Sequence, residues 1–346
     1  MFAKRTLPQD LAFAAAALVL LLAVPYLTSS KSLLDFIVYV CANGLLALSL
    51  NLLVGYTGLV SFGHALFFGA AGAYPFVLIL QKLPVGIPAA MGLTLLFAAL
   101  LALVVGAICV RLTHIYFSFL TLAFQMLAYS LLMSWVDLTG GDNGLSGFPR
   151  QPFLGIDLGQ RGHLYGFVVV MFVIGAMLMR IVTSSSFGYT LRLIRDNEHR
   201  AAFLGVNVPR AKLVCFILAG CFGSLGGMLM ALFSSGAYPN FAFWTHSGDA
   251  IFMIMLGGMN VFLGPVVGAV ILQVLNDVVT RYTEHYGLFL GLLILLIVLG
   301  FRRGLLDVLV EHRQSSRLSR RGAGTEVEPA TIPDPMPDAV PEKAAG

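Results

Sequence analysis

Charged residues are scarce in this chain, and their scarcity excludes most classes of protein. Only 11% of the 346 residues are Asp, Glu, Lys or Arg, whereas an ordinary soluble domain has about 25%. Hydrophobic residues make up 58%, and they stand in runs long enough to cross a bilayer, which takes about 20 residues. Soluble enzymes, nucleic-acid-binding proteins and secreted disulfide scaffolds are therefore excluded. The sequence describes an all-α polytopic membrane protein.

Cysteine is rare too, and its placement argues against metal or redox chemistry. The chain has four cysteines, all in apolar stretches, without a C-x-x-C pair and without a histidine at ligand spacing. Such cysteines usually serve as small buried side chains. We therefore predict no metal site. The four positions are Cys41, Cys109, Cys215 and Cys221.

Two further absences concern the source of energy. None of the five lysines follows a glycine, so the chain has no G-x-x-x-x-G-K-[ST] loop with which to hydrolyse a nucleotide. Asp35, Asp249 and Asp277 lie towards the ends of apolar runs rather than in their middle. Ion-coupled transporters usually keep an ionisable residue inside the membrane, so a secondary transporter is disfavoured. If the chain moves a solute uphill, the energy is expected to come from another chain.

Nine apolar runs and the distribution of Arg and Lys together predict the topology. The segment 183–212 has five basic residues and the segment 302–321 has six arginines, and basic loops stay in the cytoplasm. Both termini and the 183–212 loop are therefore predicted to be cytoplasmic, which requires an even number of crossings. The nine runs cover about residues 11–28, 33–54, 60–80, 84–110, 113–136, 163–182, 213–233, 249–279 and 287–301.

Nine runs would give an odd number of crossings, but the run at 249–279 is predicted to be two elements. It is too long for one comfortable span, and Gly257-Gly258 and then Gly264-Pro265 interrupt it. A broken or re-entrant pair there gives about ten transmembrane segments. Non-helical backbone at membrane depth is tolerated where it is buried in protein or lines a cavity. A single long tilted helix is the alternative, and it would leave the arginine-rich tail outside.

The second and third runs contain polar residues of the kind that line an aqueous path. Asn51, Ser61 and His64 lie in an apolar stretch that glycines interrupt, as in the discontinuous helices of transporters. Together with Asn260 of the broken pair, they are the predicted polar residues of a translocation path. Alternatively, the glycines are packing notches and His64 is hydrogen-bonded to a neighbouring carbonyl. For His64 taken alone we favour this second interpretation.

A short helix is predicted in the cytoplasmic loop, at about residues 196–205. Asp196 or Asn197 can cap its start, and Gly205 can supply the left-handed residue that ends it. A helix this short is not stable alone in water, so we expect it to dock on something. A helix held only by its own membrane domain is the alternative. Ala201 and Ala202 leave room for close insertion into a partner, and Glu198 is expected to pair with a basic group there. The residues singled out here are Asp196, Asn197, Glu198, Ala201, Ala202, Leu204 and Gly205.

These motifs resemble the permease subunits of ABC importers for branched-chain amino acids, specifically the M-type of the two permeases. The pattern Leu50–Ala65 resembles the second and third segments of that family, and Arg192–Gly205 resembles its E-A-A-x-x-x-G coupling motif. The resemblance covers roughly residues 33–308 and also includes Thr139–Pro149, Gly257–Gly268 and Phe301–Leu305. Two features depart from the pattern. The family loop often reads Gly-Ser-Asp-Gly where this chain has Gly141–Gly144, and a proline-rich tail is not a family feature.

The resemblance implies a transport subunit without catalytic residues of its own. Two permeases form the pore, two ATPase chains drive it, and a periplasmic binding protein delivers the solute. The chain itself binds no cofactor and no nucleic acid, ATP is used by the partner subunits, and lipid surrounds the subunit. Transport proceeds by alternating access, and the motion of the ATPases enters through the coupling helix at 196–205. The expected location is the bacterial inner membrane.

The domain organisation follows from these assignments. Residues 1–313 are the expected transmembrane permease domain, with the cytoplasmic coupling loop at 183–212. Residues 314–346 include five prolines between 329 and 341 and show no apolar periodicity. A segment of this composition has no core to bury, so we predict a disordered cytoplasmic tail.

Two other functions remain as alternatives. An ABC permease for urea, short amides, a sugar or aromatic acids would have the same sequence features, because the receptor largely sets the specificity. The second is an intramembrane serine protease of the rhomboid type, because Gly144-Leu-Ser146-Gly147 matches G-x-S-G. Such a serine needs a histidine base in another span, and no later run offers a central histidine. The protease is the remote alternative.

Overall fold

The computed structural model describes residues 7–28, 30–148, 153, 155, 157–282, 288–289, 291–292 and 295. The basic segment 302–321, the tail 314–346 and most of the predicted run at 287–301 lie outside these residues. The described chain is almost entirely helical. Its α-helices are α1 (Leu7–Leu27), α2 (Lys31–Thr57), α3 (Tyr74–Lys82), α4 (Ile87–Cys109), α5 (His114–Ser134), α6 (Val136–Thr139), α7 (Arg161–Ser184), α8 (Ser186–Asp196), α9 (Glu198–Phe203), α10 (Val208–Ser234), α11 (Trp244–Gly257) and α12 (Gly264–Tyr282). A π-helix (Leu66–Ala73) precedes α3, two 3-10 helices are Gly141–Asn143 and Pro239–Ala242, and the strands are β1 (Leu145–Ser146) and β2 (Gly236–Ala237).

Six of the described helices are long and apolar enough to cross a membrane, namely α1, α2, α4, α5, α7 and α10. A shorter apolar helix, Leu66–Lys82, consists of the π-helix followed directly by α3. These seven elements coincide with the first seven apolar runs of the sequence. The prediction of a polytopic all-α membrane protein is therefore confirmed, whereas the total of about ten segments stays a prediction.

α2 and α10 form the centre of the bundle. Of the most apolar stretch of each helix, 83% is buried in α2 and 61% in α10, but none in α1. α2 packs against α7, α10 and α12, which is why it is apolar on every side. α4 and α5 instead expose large apolar side chains, including Leu96 and Leu100 on α4 and Phe119 and Leu127 on α5. These two helices therefore present a surface suited to lipid or to another apolar helix.

A partly buried connecting segment, residues 58–65, separates α2 from the π-helix. Ser61 and His64 are buried in it, whereas Val60 and Phe62 are exposed. The next helix therefore begins at Leu66, six residues after the start of the third apolar run of the sequence. Backbone groups that leave a helix inside a membrane protein need other partners, because no water is available there. The Val60 carbonyl accepts a hydrogen bond from Ser118 Oγ at 2.6 Å, and the Ala65 N–H donates to Ser247 Oγ at 2.8 Å. Side chains of α5 and α11 therefore hold this segment in place.

α11 and α12 form a tight helical hairpin, so the long apolar run predicted to be broken is two helices. They pack backbone against backbone. A Cβ atom on Gly257 would lie 1.8 Å from the Gly264 carbonyl oxygen, and one on Gly268 would lie 1.7 Å from the Met253 carbonyl oxygen. Glycine is required at such contacts, because it lets two membrane helices approach closely. We call the connecting residues 258–263 the hairpin turn.

The bundle has two distinct ends. At one end β1 pairs antiparallel with β2 and joins the loop after α5 to the loop after α10. α8 and α9 precede the start of α10, whereas β2 follows its end. A helix of 27 residues is about 40 Å long at 1.5 Å per residue, so the two features lie far apart. We call them the strand end and the α9 end.

Candidate functional site

A short helix, α9, lies within the range where the sequence predicts one, and its first turn is capped as the sequence indicates. Of the two candidate caps, Asn197 is the one used. Its side-chain oxygen accepts a hydrogen bond from the Arg200 N–H at 2.8 Å, which satisfies one of the donors that a helix start leaves without a partner. Asp196 is instead the last residue of α8. The single residue Asn197 therefore joins α8 to α9.

The helix ends in a Schellman motif around Gly205. The Gly205 N–H donates to the Ala202 carbonyl at 3.0 Å, and the Val206 N–H donates to the Ala201 carbonyl at 3.1 Å. Gly205 has φ = +84°, a left-handed conformation in which side chains other than glycine are strained. The predicted left-handed stop is confirmed in its geometry. α9 thus has defined conformations at both ends.

The two faces of α9 are divided differently from the sequence-based expectation. Ala201 is fully buried in the core of its own domain, so it is not available for insertion into a partner. Ala202 is exposed. Phe203, which the sequence reasoning missed, is 91% exposed, and Leu204 is 68% exposed. An apolar tip of Phe203 and Leu204 therefore projects from the α9 end of the bundle.

An ion pair fastens α9 to α10. Lys212 Nζ lies 2.8 Å from Glu198 Oε2, with the lysine side chain 3% exposed and the glutamate side chain 40% exposed. The sequence analysis predicts a basic partner for Glu198 on another chain, but the structure places that partner, Lys212, in the same chain. The lysine ammonium needs this carboxylate, because a buried charge without a partner is strongly unfavourable.

The four predicted path residues fall into two groups. Asn51 and Asn260 both lie at the hairpin turn, since Asn51 Nδ2 donates to the Met259 carbonyl at 3.4 Å. Ser61 and His64 lie on the connecting segment 58–65. Asn51, Ser61 and His64 are all buried, and Asn260 is exposed. This conformation therefore closes three of the four residues off from solvent.

His64 has a partner that the sequence analysis did not name. Its Nε2 atom lies 2.8 Å from Ser49 Oγ, and the same hydroxyl lies 2.7 Å from the Leu46 carbonyl. A carbonyl can only accept, so Ser49 donates to Leu46 and His64 donates from Nε2 to Ser49. The expected contact to a neighbouring carbonyl is thus replaced by one through a serine hydroxyl.

A second buried polar chain was also missed by sequence reasoning. Ser247 Oγ donates to Gln125 Oε1 at 2.9 Å, and Gln125 Nε2 donates to the Ala242 carbonyl at 3.0 Å. Both side chains are fully buried. The sequence signal that could have found Gln125 is a lone amide inside an apolar run, since such a group must have a partner there.

Ser146, the serine of the G-x-S-G match, lies on β1 at the strand end. Its carbonyl accepts from Gln81 Nε2 at 3.1 Å, and it pairs with Gly236 of β2. Within the described residues no hydrogen bond joins its hydroxyl to a histidine. The geometry gives no support to the protease alternative.

The fold and these sites define a class of protein: a polytopic helical permease, with buried polar groups at a helix break and a rigid, apolar-tipped helix outside the bundle. Residues 32–299 match the family model described as "Branched-chain amino acid transport system / permease component". The chain belongs to this family of permease components.

Relatives of known name agree with the family. The chain is 26% identical over 296 residues to the high-affinity branched-chain amino acid transport system permease protein LivM of Escherichia coli (strain K12), covering 79% of this chain and 69% of LivM. It is 25% identical over 287 residues to the probable LivM of Methanocaldococcus jannaschii, covering 70% of this chain and 81% of that protein. The ribose import permease protein RbsC of Bacillus subtilis matches at 28% over 144 residues, 40% of this chain and 42% of RbsC. No solved structure matches.

Proposed function

We propose that this chain is the membrane subunit of an ATP-driven importer that moves branched-chain amino acids into the cytoplasm by alternating access. Similarity to LivM covers 79% of the chain, whereas similarity to the ribose permease covers 40%, which favours amino acids over sugars. The burial of Asn51, Ser61 and His64 is what a closed state of an alternating-access path requires. A low-affinity path suits an importer fed by a binding protein, because a tight membrane site would hold the solute in one state.

The observation that carries this proposal is the apolar tip of α9. Phe203 and Leu204 are exposed on a helix outside the bundle, among the arginines of the α9 end. Lipid does not explain them, because the neighbouring residues of α9, such as His199 and Arg200, are polar and exposed. A large aromatic residue with an adjacent leucine is typical of an anchor that fills a pocket on a partner. We assign that pocket to the ATPase subunit.

The orientation and the remaining partners follow from the same arrangement. Arg192, Arg195, Arg200 and Arg210 are all near the α9 end, which supports placing that end in the cytoplasm. The strand end then faces the periplasm and the substrate-binding protein. With the hairpin counted as two crossings and the run at 287–301 as one, the chain crosses the bacterial inner membrane ten times and both termini are cytoplasmic. A second permease subunit and a second ATPase complete the transporter.

A pull-down of the ATPase subunits with matched phenylalanine variants tests the proposal. Phe203→Ala removes the anchor, and Phe97→Ala removes an exposed phenylalanine of α4, which is not part of α9. Truncating a central aromatic anchor costs about 2–4 kcal/mol of binding, or roughly 30- to 1000-fold in affinity. We expect Phe203→Ala to lose ATPase binding and uptake while Phe97→Ala keeps both. Equal binding by both variants would contradict the proposed docking site.

The substrate class is tested separately on the cognate binding protein. Its thermal unfolding is measured with leucine, isoleucine and valine, and with urea, short amides, ribose and aromatic acids. Ligands that bind the folded state raise the midpoint by mass action. A midpoint raised by a sugar or an amide, and not by the aliphatic amino acids, would replace the proposed substrate and leave the ATP-driven mechanism in place.

A further inference from the structure

The helix α8 connects the predicted coupling helix to the interior of the bundle. It buries Gly188, Leu191 and Ile194 against the domain, and it carries its arginines elsewhere on its surface. Asn197 alone separates α8 from α9, and its side chain is occupied in capping α9. A displacement of α9 therefore reaches α8 through one extended residue, without a flexible linker that could absorb it.

Arg195, in the last turn of α8, reaches two other parts of the fold. One terminal guanidinium nitrogen donates to the Gly55 carbonyl of α2, and the other donates to Asn260 Oδ1 of the hairpin turn at 3.4 Å. The Gly55 carbonyl belongs to the last turn of α2, where carbonyls lack partners within the helix and attract cations. The side chain thus bridges α8, α2 and the hairpin turn.

The hairpin turn and α2 are already in close contact at this point. A Cβ atom on Gly55 would lie 2.9 Å from the Met259 carbonyl oxygen, and Asn51 Nδ2 donates to that same oxygen. The end of α2 and the turn therefore form one unit. A displacement of the Arg195 guanidinium therefore acts on the end of α2 and on the hairpin turn together.

The neighbouring arginine of α8 has a different set of contacts. Arg192 donates to the Thr183 carbonyl at 2.9 Å, and its guanidinium lies over the rings of Tyr56 and Tyr189, at 5.5 and 4.7 Å from their centroids. It ties α8 to the end of α7 and, through Tyr56, to α2. α8 is therefore held at Arg192 and linked to the hairpin turn at Arg195, one turn nearer α9.

We propose that Arg195 is the positioning residue that transmits the movement of α9 to α2 and the hairpin turn, where the path residues Asn51 and Asn260 lie. This inference rests on the proposed function, because it assumes that the ATPases move α9. A guanidinium suits the task because its planar fork holds two acceptors in fixed directions at once, which a lysine ammonium cannot do in the same way. Loss of Arg195 should therefore disconnect ATP hydrolysis from transport without removing either the ATPase docking site or the path.

The test measures ATP hydrolysis and amino-acid uptake on the same proteoliposomes, with the complete complex of permeases, ATPases and binding protein. The variants are Arg195→Gln, Asn260→Ala and the conservative Asn260→Asp, which keeps an acceptor for Arg195. Arg210→Gln is the matched control, because it removes an exposed arginine at the same end. The quantity compared is the amount of solute moved per ATP hydrolysed.

We expect Arg195→Gln to keep binding-protein-stimulated ATP hydrolysis and to lower the solute moved per ATP by roughly tenfold, since a hydrogen bond to a charged group is lost. Asn260→Ala should lower the ratio less, Asn260→Asp should give a higher ratio than Asn260→Ala because it keeps the acceptor for Arg195, and Arg210→Gln should leave the ratio unchanged. An unchanged ratio in Arg195→Gln would overturn the role of Arg195. So would a parallel loss of assembly, hydrolysis and uptake, which is the signature of a structural role. If the wild-type complex itself shows no ATP-dependent uptake, the proposed function fails, and the transmission role fails with it.

Discussion

The two side chains of the Glu198–Lys212 ion pair differ in burial. Single replacements of the two residues should therefore lower the free energy of unfolding by different amounts. The lysine side chain is 3% exposed and the glutamate side chain is 40% exposed. Glu198→Ala leaves an ammonium group buried without its partner. Lys212→Met replaces the buried lysine with an apolar side chain of similar length and leaves a carboxylate that water can still reach.

The burial of the two groups sets the size of the effect. Exposed ion pairs contribute about 0–1 kcal/mol, and breaking a buried pair costs about 3–5 kcal/mol. Because the carboxylate is partly exposed, Glu198→Ala should lie between these limits, at about 2 kcal/mol. Lys212→Met should cost less than about 1 kcal/mol, because it removes the buried charge as well as the pair. The double variant should be about as stable as Lys212→Met alone.

Thermal unfolding of the purified chain in detergent measures these differences. A thiol-reactive dye reports unfolding directly, because Cys41, Cys109 and Cys215 are free and buried. A loss of about 2 kcal/mol lowers the midpoint by roughly 3 °C for a chain of 346 residues, because the unfolding entropy is about 2.1 cal/mol/K per residue. Equal losses in the two single variants, or a double variant less stable than Glu198→Ala, would show that the burial of the lysine is not what makes the pair important.

Two glycine predictions test the α11–α12 hairpin and the end of α9. Gly268→Ala places a methyl group 1.7 Å from a carbonyl oxygen of α11, whereas Gly248→Ala meets nothing within 4 Å. Only the first should destabilise the fold, by about 1–3 kcal/mol of overpacking, and thereby lower the midpoint of thermal unfolding. Equal midpoints would refute the close packing. Gly205 has open space around it but φ = +84°. Gly205→Val should therefore cost about 1–2 kcal/mol and impair uptake, while Gly205→Asn is tolerated; identical uptake by the two variants would mean that the backbone conformation there does not matter.

Features specified by neighbouring residues could be predicted from the sequence. Asn197 and Gly205 bracket α9 because a cap and a left-handed stop act within one helical turn. The hairpin turn is predictable for the same reason, since Gly257 and Gly258 weaken a helix and Pro265 is favourable only in the first turn of the next one. The apolar runs that become membrane helices likewise depend on local composition.

The features that depend on distant residues could not be predicted in this way. Packing against the rest of the domain decides which face of α9 is buried, and the local sequence does not contain this information. The sequence analysis therefore places Ala201 on the partner-facing side and does not single out Phe203. Ser49 is fifteen residues from His64, and Arg195 is sixty-five residues from Asn260. Neither contact has a periodic signature, because the fold and not the local pattern brings these side chains together.

The connecting segment 58–65 has a consequence for the insertion of the protein into the membrane. Hydrogen-bond partners of its backbone come from Ser118 and Ser247, and Ser247 is 182 residues later in the chain than Ala65. When α2 and α3 have been synthesised, the side chains that accept from and donate to the backbone of this segment have not. Each of these backbone groups would cost several kcal/mol if it were exposed to lipid without a partner. We therefore expect this segment to stay in the translocon or in contact with water until α11 is synthesised. Insertion of this subunit is thus completed late and as a whole, rather than helix by helix.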